Sequence, residues 1–437
     1  MPIRNLIVLL FFGAASTACY FKSQHNRYAA TLAHAMTIIQ ENYVDEIDAR
    51  KLFEGAMDGM VGKLDKYSAY VNPNNYRKFK ESLDQQFGGI GIVVQGPPTR
   101  ERLTVMSPLP NSPAHRAGLR AGDVIMEIDG VSTEGMQLAD AVTYMRGKPG
   151  DPVHLVIKQK KSGESKPFDI KRANIPIESV KGDRRNDDGS WIFQREDNPR
   201  IGLARVLSFG ERTVVELQTA MQESEGKIDA MIIDLRDNVG GLLTAAVGVC
   251  DLFISDGVIV TTRGRKEKMM TGRRFAATPN TSLSSNVEVV VLINGQSASA
   301  SEIVAACLQD HNRAKIIGSR SWGKGSVQNI IPLETKRSAL KLTTATYWRP
   351  SGKNIHRRDK DKEEDDWGVR PDKGFAIPID KEAWTNISKQ RQHRDVFRDA
   401  DDLPAPKNEI IGDPQMKKAI EYLKARLQAK AAESQQA

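Results

Sequence analysis

The sequence predicts an α/β protein with further helical segments at both ends, and three observations carry the prediction. After Ile175, apolar strands alternate with amphipathic stretches: Ile201 to Val206 and Ala230 to Leu235 read as strands around a helix from Glu211 to Glu225. The run Val287 to Ile293, apolar apart from Glu288, reads as a buried strand that Asn294-Gly295 breaks. Beyond it, Ile303, Val304, Cys307 and Leu308 fall near helical spacing from Glu302 onward, and Lys315 to Gly318 returns as a short strand.

At 437 residues the chain is long enough for two or three domains. A hydrophobic content of 40% and 27% charged residues are ordinary for a soluble protein. The net charge of +8 is spread over interleaved acids and bases, and no aromatic-basic stripe supports base stacking, so nucleic acid is not the expected partner. Histidines are scattered without Cys/His spacing, which points away from a metal site, and no cofactor is expected.

Residues 1–25 read as a signal peptide or membrane anchor. Arg4 precedes an apolar run from Leu6 to Ala15, followed by the small residues Ser16-Thr17-Ala18 before Cys19. The run is shorter than the roughly 20 residues that span a bilayer as a helix. Cys19 resembles a lipoprotein cleavage site, although no Leu stands three residues before it. The expectation is an exported chain, periplasmic or extracytoplasmic and membrane-associated. Cys250 and Cys307 sit in apolar, helix-like runs and are expected to be buried free thiols, with a disulfide as the alternative in an exported chain.

Residues 26–84 read as a helical region. Leu32, Met36, Ile39, Leu52, Met57, Met60 and Leu64 recur at roughly helical intervals, a pattern suited to packing or dimerisation. Phe87-Gly88-Gly89-Ile90-Gly91-Ile92 then leads into an apolar strand, and a glycine loop of this kind presents backbone N–H groups to an anion. Leu138, Ala141, Val142 and Met145 have helical spacing.

The segment from Leu292 to Gln328 offers a nucleophile and a base within one strand-helix-strand unit. Ser297, Ser299 and Ser301 surround a helix start, where unpaired N–H groups favour developing negative charge, although such serines also serve simply as caps. Trp322-Gly323-Lys324-Gly325 is a glycine-flanked turn with one lysine, and a desolvated amine can take a serine's proton. Gly318 to Lys324 also approaches a phosphate loop, but Gly325 stands where the magnesium-holding hydroxyl belongs. Upstream, the strand from Ala230 ends in Asp234-Leu235-Arg236-Asp237-Asn238-Val239-Gly240-Gly241, whose glycines allow close backbone approach to a substrate.

The string Ser297-Ala298-Ser299-Ala300-Ser301-Glu302-Ile303, with Gln309-Asp310 and Gly323-Lys324-Gly325-Ser326-Val327-Gln328, resembles the C-terminal processing (tail-specific) serine proteases. The resemblance implies Ser299 as nucleophile, Lys324 as base and Gln328 as the residue that orients the lysine. It implies an oxyanion hole from Gly240 or Gly241 together with Ala300, and Val239 replaces the family's usual proline. Asp310 falls where the family has a functionally sensitive acid; by itself it reads as a helix C-terminal solvent residue or a partner of His311 or Arg313. Leu64-Asp65-Lys66-Tyr67-Ser68 matches only in part a family turn, Leu-Asp-Pro-His-Ser.

Residues 85–173, with Ala117-Gly118-Leu119-Arg120-Ala121-Gly122-Asp123-Val124-Ile125, resemble a PDZ domain. This implies that Gly88, Gly89, Ile90, Gly91 and Ile92 receive a peptide's terminal carboxylate, while the helix carrying Leu138 flanks the groove. The implied architecture is a crotonase-like or ClpP-like α/β protease core over 174–380 with the PDZ domain inserted before it. Residues 381–437 form a C-terminal helical region and tail, with a helix from Met416 to Gln428 and frayed last residues; Arg357 to Asp366, wholly charged, reads as a solvated loop.

The implied reaction is peptide hydrolysis through an acyl-enzyme, on polypeptides with free apolar C-termini. A dry pocket around Lys324, with Trp322 helping to line it, would keep the amine neutral. An adaptor and a homo-oligomer through the terminal helices are the further partners to expect. The alternatives are a PDZ-containing scaffold with a gated or inactive protease core, and a nucleotide-dependent enzyme.

Overall fold

The computed structural model describes residues 27–96, 102–265, 272–397 and 412–436. The expected export segment lies outside the described residues. The chain divides into two compact units, one built from residues up to Tyr76 with Gln328–Thr343, the other from Arg77–Val327 with the chain beyond Thr344.

In the first unit the N-terminal helical pattern is broken into pieces rather than continuous. Helices Arg27–Asn42 and Ala49–Val61 are separate, the second capped by the Asp48 side chain on the Arg50 N–H. Beyond Gly62 the chain forms a strand, Ala69–Val71, antiparallel to Ala339–Lys341. Helical spacing of apolar residues therefore did not reveal this strand, whose three residues are too few for a periodicity to show. Asp65 accepts from the Ser68 hydroxyl (2.8 Å) and from Thr343 Oγ1 (3.1 Å), and Ser68 Oγ accepts the Thr343 N–H (3.0 Å). The Leu64 to Ser68 turn thus holds a strand. Arg50 clamps the same unit, pairing with Glu54 and with both carboxylate oxygens of Glu334.

The second unit begins its β-structure with a ribbon, Gln86–Gly89 antiparallel to Ala173–Pro176, which leads into and out of an antiparallel sheet. The sheet order is Ile92–Gln95, Thr104–Pro108, Val124–Ile128, Pro152–Lys158, Ser165–Lys171. Leu103, Val105, Leu119, Ile125, Ile128, Val153 and Leu155 form its core. Ile92–Gln95 is an edge strand, with one side unpaired in the sheet among the described residues. Helix Leu138–Met145 packs Ala141 and Met145 into the core and leaves Leu138 exposed beside Gly96. Of the four apolar positions read from the sequence, two therefore serve the core instead of a groove.

The expected α/β core is present as a sheet in the order Val180–Lys181, Ile201–Val206, Ala230–Asp234, Glu288–Ile293, Lys315–Gly318, with the last four strands parallel. Period-two alternation sends side chains to both faces. Ala204, Val206, Met231, Ile233, Val291 and Ile293 meet helices Thr213–Ser224, Leu243–Asp251 and Ala300–Asp310. Ile201, Leu203, Ala230, Ile232, Val290 and Leu292 meet Met416, Ala419 and Leu423 of helix Pro414–Gln436. That last helix runs to Gln436. Cys250 and Cys307 are buried free thiols, as read from their apolar surroundings.

Candidate active site

Parallel strands deliver their C-terminal ends to one edge of the sheet, and there two loops converge: Leu235–Leu242 after Ala230–Asp234, and Asn294–Ser299 after Glu288–Ile293. Asn238 joins them. Its Nδ2 donates to Val206 O (2.7 Å), its Oδ1 accepts the Gly240 N–H (2.8 Å), and its carbonyl accepts the Ala298 N–H (3.0 Å) and the Ser301 hydroxyl (2.8 Å). Ser297 Oγ donates to Leu235 O (2.8 Å). Two of the three serines are thus spent on holding the loop, and Ser299 is the one not used in this way.

Ser299 stands immediately before helix Ala300–Asp310 with φ 57° and ψ −113°, a backbone region that suits glycine. Its N–H donates to Glu302 Oε2 (2.8 Å) and its carbonyl accepts from Ile303 N–H (3.0 Å) and the Tyr347 hydroxyl (3.1 Å). Gly240 packs against it. A Cβ there would lie 2.8 Å from Ser299 Cβ and 3.0 Å from the Ala300 nitrogen, and at Gly241 it would lie 2.0 Å from Phe209 O. Both glycines also have positive φ, so side chains are excluded twice over.

Glu302 is the residue that sequence reasoning left without a role. Fully buried, it accepts the Ser299 N–H, the Ser321 hydroxyl (2.6 Å), the Gly323 N–H (2.6 Å) and the Lys324 N–H (2.8 Å). Burial pushes its carboxyl above the usual range against the opposing pull of these donors. The Ser-x-x-Glu spacing was legible as a helix-start signature; the contact with a turn about twenty residues away was not. Tyr347 repeats the connection, its single hydroxyl proton shared between the Lys324 carbonyl and Ser299 O.

The lysine turn is closed by the 355–369 segment. Arg357 N–H donates to Gly323 O (2.8 Å), and a Cβ at Gly323 would meet Trp367 at 2.9 Å. Trp322, expected to line a dry pocket, is 45% exposed, whereas Trp367 is buried, so Trp367 is the aromatic packed against this turn. The charged run 357–366 is pinned too: Arg320 stacks on Trp367 and donates to the Glu363, Asp365 and Trp367 carbonyls. The phosphate-loop alternative fails on geometry. Gly323 and Lys324 N–H face a carboxylate, and the Gly318 and Ser319 amides donate to Phe375 O and Ile293 O.

Gln328 belongs to the first unit, where its amide donates to Thr343 Oγ1 (3.2 Å). Asp310 pairs with neither His311 nor Arg313. It takes a two-pronged contact from Arg349 (2.6 and 2.9 Å) and the Ser351 N–H (3.0 Å). Burial alone would raise its carboxyl, but Arg349 and the Ser351 N–H hold it below the ordinary value. In the antiparallel sheet unit, Gly88 and Gly89 lie in the ribbon, and a Cβ on Gly88 would meet Gly147 O at 2.0 Å. Ile90 is buried, Gly91 has φ 77° with its carbonyl accepting from Leu109 N–H and Ser112 Oγ, and Ile92 opens the edge strand.

The sequence matches Peptidase family S41 over residues 200–373, a PDZ domain over 104–159, and the Activating protease CtpB N-terminal domain over 16–75. It is 42% identical over 326 residues to a carboxy-terminal-processing protease of Bartonella bacilliformis, covering 72% of this chain and 70% of that one. It is 32% identical over 341 residues to carboxy-terminal processing protease CtpB of Bacillus subtilis, covering 77% and 67%. A solved photosystem II D1 C-terminal processing protease aligns at 25% identity over 80% of this chain and 93% of that one, with a TM-score of 0.42.

Proposed function

From the premise that the chain belongs to peptidase family S41, the carboxy-terminal-processing serine peptidases, we propose that Ser299 and Lys324 form its catalytic dyad and Gln328 orients the lysine. The observation that carries this reading is the Glu302 carboxylate, which binds the backbone of Ser299 and of Lys324 at once. It makes the two segments one rigid piece.

Neutral Lys324 takes the Ser299 proton as Oγ attacks the substrate carbonyl carbon. The tetrahedral oxyanion then collapses, the C–N bond breaks, and Lys324 returns the proton to the leaving amine. Water, deprotonated by the same lysine, releases the acyl group and regenerates Ser299. The lysine must be neutral near pH 7 to 8 against an ordinary value of about 10.4. Of the two glycines, Gly240 donates its N–H to Asn238, which favours the Gly241 and Ala300 N–H groups as the oxyanion donors. Loss of one such donor commonly costs about 3 to 4 kcal/mol of transition-state stabilisation.

The PDZ domain supports polypeptide substrates recognised by their C-termini: the edge strand Ile92–Gln95 accepts an added strand, and Ile90-Gly91, which join it to the Gln86–Gly89 ribbon, lie at its start. Export is part of the same reading, supported by Leu6 to Ala15 and the small residues before Cys19. The mass of the N-terminal peptide of the cell-derived protein tests it.

The decisive experiment is degradation of an unfolded protein with an apolar, free C-terminal tail. Loss of cleavage in both Ser299→Ala and Lys324→Ala, with unchanged melting curves, is the expected result. Cleavage that survives either substitution overturns the dyad. A wild-type chain that binds the tail without cutting it returns the scaffold alternative.

A further inference from the structure

Beyond the residues that match the peptidase family, helix Lys381–Asp395 and Phe397 make a chain of contacts from the glycine loop to the antiparallel sheet. At its start, Trp384 Nε1 donates to Asp237 Oδ2 (2.7 Å), and the indole stacks on Arg236 at 4.8 Å. Asp237 has φ 59°, accepts Asn294 Nδ2 on its other oxygen (2.8 Å), and donates its own N–H to Asn294 Oδ1 (3.0 Å). Trp384 therefore holds one of the residues, beside Asn238 and Leu235, through which the glycine loop and the nucleophile loop touch.

The far end of the helix is gripped by the core and by the antiparallel sheet. Arg394 pairs with Asp183 (2.8 Å), and Asp395 with Lys181 (3.0 Å) and Arg205. Two residues on, buried Phe397 donates its N–H to Ser107 Oγ (3.0 Å), a hydroxyl whose own proton is shared between Pro108 O (2.9 Å) and the Phe397 carbonyl (3.3 Å). Its ring meets His115 edge-on at 5.1 Å. Ser107 lies on Thr104–Pro108, the strand paired with the edge strand, in register with Val93.

We propose that this helix is a positioning element that links the peptide-binding edge to the candidate oxyanion loop, with Phe397 as its anchor on the PDZ sheet and Trp384 as its contact with Asp237. The link rests on the proposed function for its meaning, since only there does a peptide occupy the edge strand. A peptide that adds a strand beside Ile92–Gln95 shifts its neighbour Thr104–Pro108. Ser107 and His115 pass the shift to Phe397, and a stiff helix anchored by charges at one end delivers it to Asp237 at the other.

Hydrogen exchange on the Ser299→Ala chain tests the link without requiring proteolysis. The probe is a short synthetic peptide with an apolar free C-terminus, compared with the same peptide amidated. With Phe397 intact, the free-acid peptide changes protection of the Asp237–Leu242 amides by severalfold and the amidated peptide does not. In Phe397→Ala the peptide still binds, measured by fluorescence anisotropy, while the change in protection is lost. Trp384→Phe, which keeps the stacked ring and removes the N–H donor, loses it as well. An unchanged loop with Phe397 present, or an equal response in Phe397→Ala, overturns the link. If Phe397→Ala fails to bind or to fold, Trp384→Phe alone decides, since a loop response equal to that of the parent chain overturns the proposal. Failure of the dyad appears separately, as cleavage by the Lys324→Ala chain.

Discussion

Ser299 occupies a backbone conformation that costs a non-glycine residue on the order of 1–3 kcal/mol, and the network around it holds it there. Ser299→Gly is therefore expected to abolish cleavage and to raise stability by about 1 kcal/mol in denaturant titration, while Ser299→Ala abolishes cleavage with no gain. Equal stabilities would show that the conformation is not strained. Glu302→Gln replaces one acceptor oxygen by an NH2 group facing buried donors. A loss of about 2 kcal/mol or more is expected, with a fall in kcat. Asp310 tests a different role. Its carboxyl titrates below the ordinary value of 3.8, so its pairing with Arg349 contributes stability above that pH, and the contribution is lost as pH falls through the lowered value. Asp310→Asn should lower the melting temperature at pH 7 and bring it toward the parent's as both are acidified through the lowered value. A gap that persists in acid would mean that shape, not charge, matters at this position.

Among the elements, those that bury a continuous or alternating apolar stripe were legible, because burial imposes the period. The parallel strands and the helix following Ser299 belong to this class. The Ala69–Val71 strand was not, since its only partner among the described residues is a strand some 270 positions away and its three residues carry no period. The same limit applied at the site: the Ser299 and Lys324 strings stood out, while Asn238, Glu302, Tyr347 and Trp367 act through contacts that only the folded chain creates. Trp322 was misread for that reason, its neighbour Gly323 being covered by Arg357 and Trp367 while Trp322 itself stays exposed. Helix Leu138–Met145 yields a prediction at this scale. Leu138→Glu, on the exposed turn beside Gly96, should weaken binding of an apolar tail without moving the melting temperature, whereas Met145→Ala should cost about 2–5 kcal/mol. Equal effects on binding and stability at both positions would refute the division of that helix into a core face and a groove face.

For the molecule as a whole, the α/β sheet is covered on its second face by a helix that begins 41 residues beyond the family match, at Pro414. Met416, Ala419 and Leu423 close over Ile201, Leu203, Ala230, Ile232, Val290, Leu292 and Ile317, all of which would otherwise meet water. The same segment completes a buried ion network. Arg236 donates to Asp234 (2.7 and 2.9 Å), to Asp413 (2.9 and 3.0 Å) and to Gln415 (3.1 Å). Burial disfavours its charge, but Asp234 and Asp413 more than offset this, so the guanidinium stays protonated next to the glycine loop. Two losses then follow from a chain ending at Gly412: an apolar sheet face is bared and a buried cation keeps one carboxylate of two. Such a chain should fail to give a folded, monodisperse protein. Asp413→Ala, which keeps the apolar cover but removes both the ion pair and the cap that Asp413 Oδ1 gives the Met416 N–H (3.0 Å), should fold with a loss of about 3–5 kcal/mol and a reduced cleavage rate. If the shortened chain melts like the full one, the helix is an appendage and the sheet's second face is stable without it. If Asp413→Ala is as damaging as the truncation, the polar contacts of Asp413, to Arg236 and to the start of the covering helix, outweigh the apolar cover in holding the core and the glycine loop in place.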